Sequence, residues 1–323
     1  MTTQALAAFL VQVRQTLDAQ WVDTRPATLE RYGEHTLPGD KRVPAAVLFP
    51  ESTADVQAIV AAANAHGVPL YPISTGNNIG LGSRAPVASG QVVVDLGFRM
   101  NRILEVNEEI CYAVLEPGVS FQMLHDELAR RGDKLMVSAT SGPPHGGVIG
   151  NALDRGAGYG PYFDHFGMLC GMEIVLGNGK VIRTGDGALD TDNLLNWHVS
   201  KYSAGPALDG LFSQSNYGIV TRVGVWLMPR PPVARSFHFT FPDDDDISEI
   251  IDLCRPLKLS NFVPTLFRIS NDLYAISSEA KNEEYLAGSK ASYSDDARKA
   301  LQARHGLGAW QVSGLFYGAS DAA

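Results

Sequence analysis

The chain has little cysteine: Cys111, Cys170 and Cys254 are the three in 323 residues, and no Cys-x-x-Cys pair occurs. This wide spacing argues against a disulfide framework and against a metal site, and it is typical of buried thiols in a reducing compartment. Basic residues are also few, with 26 Lys and Arg against 35 Asp and Glu and a net charge of −9. A protein of this charge is a poor partner for nucleic acid or for an anionic membrane surface.

The first 17 residues contain no basic region at their start, and Gln12 and Arg14 interrupt their apolar run. A signal peptide is therefore not expected. No segment of the chain approaches the roughly 18 apolar residues of a membrane span. Five apolar residues fall on one face of a helix instead: Leu6, Phe9, Leu10, Val13 and Leu17. We expect a cytoplasmic protein that begins with a helix.

The most informative segment is residues 71–86, YPISTGNNIGLGSRAP. It lacks the Lys-Ser/Thr of a Walker A loop and the helical run that follows a Rossmann turn. Glycines allow positive φ, and successive N–H groups in such a turn form a partly positive nest that suits phosphate oxygens. Two interpretations stay open at this point: a diphosphate site and an ordinary Gly/Asn surface loop.

The secondary structure predicted around this segment contains both helices and strands. A helix over 54–66, with Ser52 and Asp55 as a capping pair, is followed by a strand over 68–73 that leads into the glycine-rich loop. Further strands, a helix over about 120–131 and a hairpin with an Asn-Gly turn over 172–183 follow. Pro229, Pro231 and Pro232 indicate a domain boundary. The strand predicted over 310–317 is expected to lack a partner, which would leave an unfinished, aggregation-prone domain.

Several long segments resemble the vanillyl-alcohol oxidase and 4-cresol methylhydroxylase family of FAD-binding flavoproteins. They include PISTGNNIGLGSRAP, VVVDLGFRMNRILEV, GNALDRGAGYGPYFDHFGMLCGMEIVLGNGKVIRTG and LDGLFSQSNYGIVTRVGVWLMPRP. The resemblance implies an α+β protein with a PCMH-type FAD-binding fold of two α/β subdomains, followed by the start of an α+β cap domain. We expect an N-terminal helix and irregular arm over 1–42, the FAD-binding domain over 43–232 and an incomplete cap or substrate domain over 233–323.

The resemblance also implies roles for particular residues. The pyrophosphate of FAD would be held by the loop residues Ser74, Thr75, Gly76, Asn77, Asn78 and Gly80. The backbone would run close beside the flavin at Gly146, Gly147, Gly150 and Asn151. Edge-on contacts would come from Gly218, Ile219 and Val220, for which a plain core strand is the alternative.

Asp164 is the expected catalytic residue, because the family motif PYxDH or PYxEH places a carboxylate near flavin N5. Such a carboxylate can take up a proton or stabilise charge during hydride transfer. The alternative is that Asp164 only caps the following turn. His145 and His165 are expected to be structural.

Three departures from the family pattern matter. Leu81 stands where phenol-oxidising relatives carry a Tyr that helps to bind the phenolate, and we assign it to the substrate pocket. The residue that attaches FAD covalently would lie beyond Ala323. Residues 197–204 replace a more aromatic, glycine-rich segment that precedes the GPxxDG motif in the family, and we assign them no role.

The expected function is an FAD-dependent oxidoreductase that takes hydride from a benzylic carbon or alcohol of an aromatic substrate onto N5, with O2 or a cytochrome-type protein as the electron acceptor. Relatives are often oligomers, which leaves a homo-oligomer open. Leu81 keeps a non-phenolic alcohol or hydroxy acid open as the substrate. A non-catalytic flavin-binding remnant is the alternative from a different class.

Overall fold

The computed structural model describes residues 2–78, 83–189, 196–203, 205–279 and 294–320. The chain divides into two compact units. The first unit comprises residues 1–158 and 164–230, and the second comprises 159–163 and 231–323. Within the described residues, no helix combines the length and the apolar character needed to cross a membrane.

The first unit contains a four-stranded sheet in the order β1-β2-β4-β3. Its strands are β1 (Val22–Asp23), β2 (Ala46–Leu48), β3 (Leu70–Ile73) and β4 (Val92–Asp95). Both β2 and β3 are parallel to β4, whereas β1 is antiparallel to β2. Three helices belong to this part of the unit: α1 (Thr3–Val13), α2 (Pro26–Tyr32) and α3 (Thr53–His66). The helix α1 packs against α3, so the N-terminal segment contributes to the core of this unit.

The ends of α3 follow from local chemistry, as the sequence predicts. The Ser52 hydroxyl accepts a hydrogen bond from the Asp55 N–H at 3.1 Å. Gly67 ends the helix with a φ of 64°, a conformation that glycine adopts without strain. Val56 and Ile59 are fully buried on its inner face.

The first unit also contains a five-stranded antiparallel sheet in the order β5-β6-β10-β8-β9. The elements here are β5 (Ile103–Asn107), β6 (Tyr112–Leu115), α4 (Phe121–Arg130), β7 (Leu135–Met136), α5 (Val148–Leu153), β8 (Leu169–Leu176), β9 (Val181–Arg183), β10 (Gly218–Trp226) and β11 (Met228–Pro229). The short strands β7 and β11 pair with each other. The hairpin β8–β9 turns at Gly179, whose φ is 80°.

The second unit contains a three-stranded antiparallel sheet in the order β12-β14-β13. Its elements are β12 (Val233–Phe241), α6 (Ile247–Leu259), β13 (Arg268–Asn271), α7 (Asp272–Glu279), α8 (Asp295–His305) and β14 (Trp310–Gly318).

The expectation that the strand near residue 310 lacks a partner is wrong. The strand β14 is central, and it pairs with β12 on one edge and with β13 on the other. Both partners are distant in sequence, so the local pattern could not reveal them.

Candidate functional site

The loop Ser74–Asn78 leaves the carboxyl end of β3. Because β3 and β4 are parallel, the loop starts at the same edge of the sheet as the segment that follows β4. The Gly97 N–H donates to the Ser74 carbonyl oxygen at 3.1 Å. The Ser74 hydroxyl donates to the Pro117 carbonyl oxygen at 2.7 Å. These two hydrogen bonds fix the beginning of the loop.

The backbone of the loop has the character of an anion nest. Gly76 has a φ of 65°. Within the part of the chain that the structure describes, the N–H groups of Thr75 and Gly76 donate to no protein acceptor. Such N–H groups on a turn with alternating backbone handedness suit the oxygens of a phosphate. The loop therefore fits a diphosphate.

The second glycine-rich segment packs directly against this loop. A Cβ added to Gly147 would lie 2.0 Å from the Ser74 Oγ, and one added to Gly150 would lie 2.8 Å from the Ser74 Cβ. The Asn77 side-chain amide donates to the His145 carbonyl oxygen at 3.3 Å. Two segments about 70 residues apart in sequence thus form one glycine-rich surface. Glycine is required at positions 147 and 150, because a side chain there would clash with Ser74 of the other segment.

Gly146 contributes to the same contact. A Cβ at this position would lie 3.0 Å from the Pro143 carbonyl oxygen and 3.1 Å from the Asn77 carbonyl oxygen. Backbone contact of Gly146, Gly147 and Gly150 with a flavin remains a prediction.

Arg84 also contacts this loop, although it was not among the residues expected at the site. Its Nη2 donates to the Asn77 Oδ1 at 2.9 Å. Its guanidinium carbon lies 5.3 Å from the centre of the Tyr32 ring. It is the only cationic residue in the segment 71–86, a signal that the sequence did contain.

Tyr32 and Asp95 form a buried pair beneath Arg84. The Tyr32 hydroxyl donates to the Asp95 Oδ2 at 2.6 Å. Burial raises the pKa of the Asp95 carboxyl, while hydrogen bonds from the Tyr32 hydroxyl and the Phe98 N–H act in the opposite direction. Burial is also the main cause that raises the pKa of Tyr32. The pair joins α2 to the end of β4 next to the candidate site.

Asn151, one of the expected cofactor-binding residues, uses its side chain within the protein. Its Oδ1 lies 2.5 Å from the His165 Nδ1, and the His165 Nε2 lies 3.2 Å from the Ser138 Oγ. Burial lowers the pKa of His165. These contacts agree with a structural role for His165.

Asp164 is exposed, and its Oδ1 accepts a hydrogen bond from the Gly167 N–H at 3.0 Å. This is the turn-capping contact expected as the alternative to catalysis. The two roles are compatible, because Oδ2 remains as a second carboxylate oxygen. The catalytic role of Asp164 stays a prediction.

The three residues expected at the cofactor edge lie at the start of β10. Ile219 and Val220 are 8% and 5% exposed, and they pack into different hydrophobic clusters of the first unit. A Cβ on Gly218 would lie 2.5 Å from the Ile174 Cγ2. The described contacts are those of a core strand, and a contact with the cofactor remains a prediction. Gly80 and Leu81 lie outside the described residues.

Residues 197–203 received no assignment from sequence, and the structure shows a packing role for Trp197. The guanidinium carbons of Arg183 and Arg222 lie 4.7 and 5.8 Å from its ring centre, and His198 stacks on it. Both arginines also pair with the buried Glu173.

Comparison with known proteins agrees with this geometry. Residues 44–185 match the family model described as an FAD binding domain. The chain is 41% identical over 278 residues to the 4-cresol dehydrogenase [hydroxylating] flavoprotein subunit of Pseudomonas putida, covering 86% of this chain and 53% of that protein. It is 38% identical over 321 residues to 1'-carboxy-chondrochloren decarboxylase of Chondromyces crocatus, covering 99% of this chain and 59% of that protein.

A solved structure of p-cresol methylhydroxylase with substrate bound superposes with a TM-score of 0.94 at 38% identity, covering 98% of this chain and 62% of that one. The chain therefore spans between 53% and 62% of the length of these relatives.

Proposed function

This chain belongs to the PCMH-type family of FAD-binding flavoproteins, and on that premise we propose that it is part of an oxidoreductase that acts on an aromatic substrate. The membership, the α+β class and FAD as the cofactor confirm expectations drawn from the sequence. The observation that carries the proposal is the glycine-rich surface formed by the loop Ser74–Asn78 and the segment Gly146–Gly150.

In this proposal the loop holds the diphosphate of FAD. The N–H groups of Thr75 and Gly76, which donate to no acceptor in the described part of the protein, would bind its oxygens, with Ser74, Asn77 and Asn78 in support. When bound, the flavin would supply hydride acceptance at N5 from a benzylic carbon or alcohol of the substrate. The protein's part is to orient the cofactor and the substrate and to exclude water from the reaction.

Asp164 is proposed to handle a proton during that reaction. Its Oδ1 is engaged by the Gly167 N–H, so Oδ2 is the oxygen that would receive the proton. The motif PYFDH around Asp164 supports this role. Leu81 is proposed to line the substrate pocket, with residues 233–323 as part of the domain that completes it.

The electron acceptor is proposed to be O2 or a cytochrome-type protein. One relative is named as a flavoprotein subunit, which supports a protein partner. A cytoplasmic location remains a prediction from the sequence.

The first test is the visible spectrum of the purified chain before and after acid precipitation. Flavin bands that move to the supernatant would show a non-covalent FAD site, and colour in the pellet would show a covalent one. Gly76→Ala should lose the flavin, because its Cβ would lie 2.8 Å from the Arg84 Cβ. Gly90→Ala is the matched control: Gly90 also has positive φ, but no atom lies within 4 Å of the added Cβ. A folded wild-type chain that stays colourless in excess FAD would refute the proposal.

The role of Asp164 is tested by two substitutions in the full-length protein, with 4-cresol as the reductant under anaerobic conditions. Asp164→Asn keeps an oxygen that can accept from the Gly167 N–H, but it removes the charge. Asp164→Ala removes both. If the carboxylate acts in catalysis, both variants should bind FAD and slow single-turnover flavin reduction by at least roughly tenfold. A wild-type rate for Asp164→Asn would leave only the capping role.

A further inference from the structure

The side chain of Arg84 lies beside the candidate diphosphate loop. We infer that Arg84 is a cofactor-binding residue that supplies a positive charge to the diphosphate of FAD. The inference rests on the proposed function and extends it to a residue with no assigned role.

The position of Arg84 is fixed by neutral groups. Its Nη2 donates to the Asn77 side-chain oxygen at 2.9 Å, and its guanidinium carbon lies 5.3 Å from the centre of the Tyr32 ring. A Cβ on Gly76 would touch its Cβ at 2.8 Å, so the arginine stem packs against the turn itself. The guanidinium is therefore held at the loop before any ligand arrives.

Within the part of the chain that the structure describes, the guanidinium of Arg84 donates a hydrogen bond to no anion. Among the described residues, no carboxylate forms an ion pair with it. The nearby Asp95 accepts hydrogen bonds from the Tyr32 hydroxyl and from the Phe98 N–H. Its carboxylate is thus bound by neutral donors, and Arg84 acts on it only through space.

The remaining donors of Arg84 match an anion with several oxygens. A guanidinium carries five N–H groups in a planar fork, and the Asn77 contact accounts for one of them. The planar fork can donate two parallel hydrogen bonds to phosphate oxygens, which the point charge of a lysine ammonium does not provide. Because the N–H groups of Thr75 and Gly76 belong to the same loop, one diphosphate can use both kinds of donor.

Arg31 offers a matched comparison on the same ring. Its guanidinium carbon lies 5.5 Å from the centre of the Tyr32 ring, close to the 5.3 Å of Arg84. It lies in the last turn of α2, and no hydrogen bond joins it to Asn77 in the described structure. Arg31→Met therefore removes one positive charge and one contact with the Tyr32 ring, as Arg84→Met does, but it leaves the contacts of the loop unchanged.

The test is calorimetric titration of the flavin-free chain with FAD and, separately, with riboflavin, which carries no phosphate. We expect Arg84→Met to weaken FAD binding by about 10- to 100-fold, the loss of one charge-assisted hydrogen bond. Riboflavin binding should change less than about twofold, and Arg31→Met should leave both affinities within about twofold. Arg84→Gln, which keeps a donor for Asn77 but no charge, should resemble Arg84→Met. Added salt should weaken FAD binding less in these variants than in the wild type.

The outcomes separate this inference from the proposed function. If the wild-type chain binds neither flavin, the proposed function fails. If it binds FAD and Arg84→Gln binds FAD equally well, only the role of Arg84 is refuted. Equal loss of FAD and riboflavin affinity in Arg84→Gln would mean that Arg84 only supports the fold of the loop, which also overturns the inference.

Discussion

Substitution of Gly147 by Ala tests whether the two glycine-rich segments depend on each other. Gly147 has φ −78° and ψ 131°, a conformation open to any residue. The effect of the substitution must therefore come from contact. The new Cβ would lie 2.0 Å from the Ser74 Oγ, a distance that the structure cannot keep.

The magnitude follows from what Ser74 would lose. Its hydroxyl would have to turn away from the Pro117 carbonyl oxygen, to which it now donates at 2.7 Å. We expect Gly147→Ala to lower the free energy of unfolding by about 2–4 kcal/mol, from one lost hydrogen bond and an overpacked contact. Ser74→Ala alone should cost about 1 kcal/mol through the same hydrogen bond.

A double-mutant cycle isolates the contact. In the Ser74→Ala background, the atoms nearest to the Cβ of Ala at position 147 are the Cβ of residue 74 and the Thr75 Cγ2, both at 3.3 Å. The second substitution should then cost less than about 1 kcal/mol, which gives a coupling energy of about 1–4 kcal/mol. Urea unfolding followed by tryptophan fluorescence in a Trp310→Phe background would report only on the first unit, which holds the other three of the 4 tryptophans.

Gly177→Ala is the control, because no atom lies within 4 Å of its added Cβ and its φ is not positive. It should change the free energy of unfolding by less than about 1 kcal/mol. Additive effects of Ser74→Ala and Gly147→Ala would refute the reasoning. They would mean that the two segments are not in the contact described.

Two further predictions concern buried carboxylates. Tyr32→Phe should lower the free energy of unfolding by about 1–3 kcal/mol, because the buried Asp95 loses a hydrogen-bond donor. The Tyr32 hydroxyl favours the ionised form of Asp95, so in urea titrations the loss should be larger at pH 7 than below the raised pKa of Asp95; equal losses would contradict this. Glu173→Gln should lower the free energy of unfolding by about 2 kcal/mol. The carboxylate of Glu173 is buried, and its pairs with the partly exposed Arg222 and Arg183 offset the cost of that burial; the substitution removes these pairs. These offsetting contacts lower the pKa of Glu173, so its stabilisation is present above the ordinary value of 4.5 and is lost as the pH falls through the lowered pKa; a loss that persists at lower pH would contradict the assignment.

Local chemistry allowed much of the first unit to be predicted from sequence. The caps of α3 at Ser52 and Gly67 and the turn of the hairpin at Gly179 involve residues close together in the chain. The helix α4 also begins where expected, with the Ser120 hydroxyl accepting from the Met123 N–H. In each case the signal and its structural partner lie within a few residues of each other.

The features that the local sequence does not predict either depend on segments distant in the chain or depart from a local rule of helix formation. The strand β14 obtains its partners from residues 233–241 and 268–271, and nothing near residue 310 indicates them. The helix α6 runs through Pro256 to Leu259, although a proline normally ends a helix at the preceding residue. Proline removes one donor from a helix, and the surrounding structure tolerates that loss here.

The candidate site likewise combines features that the local sequence predicts with features that depend on distant segments. The character of the loop Ser74–Asn78 could be read from its residues, but its contact with Gly147 could not, because that contact joins positions about 70 residues apart. The family resemblance supplied the roles of both segments. It did not supply Arg84, whose importance depends on the positions of Asn77 and Tyr32.

The glycines of this site bear on how a cofactor would bind. Glycine-rich loops are commonly explained by the close approach of a ligand, yet the added Cβ atoms at Gly147 and Gly150 meet Ser74. Together with the Gly97 hydrogen bond and the Arg84 contact, these interactions fix the loop through protein groups alone. A loop held in this way loses less conformational entropy when a diphosphate binds than a free loop would, so more of the interaction energy appears as affinity. The glycines would thus favour the cofactor indirectly, by allowing two segments to pack closely enough to hold the N–H groups in place.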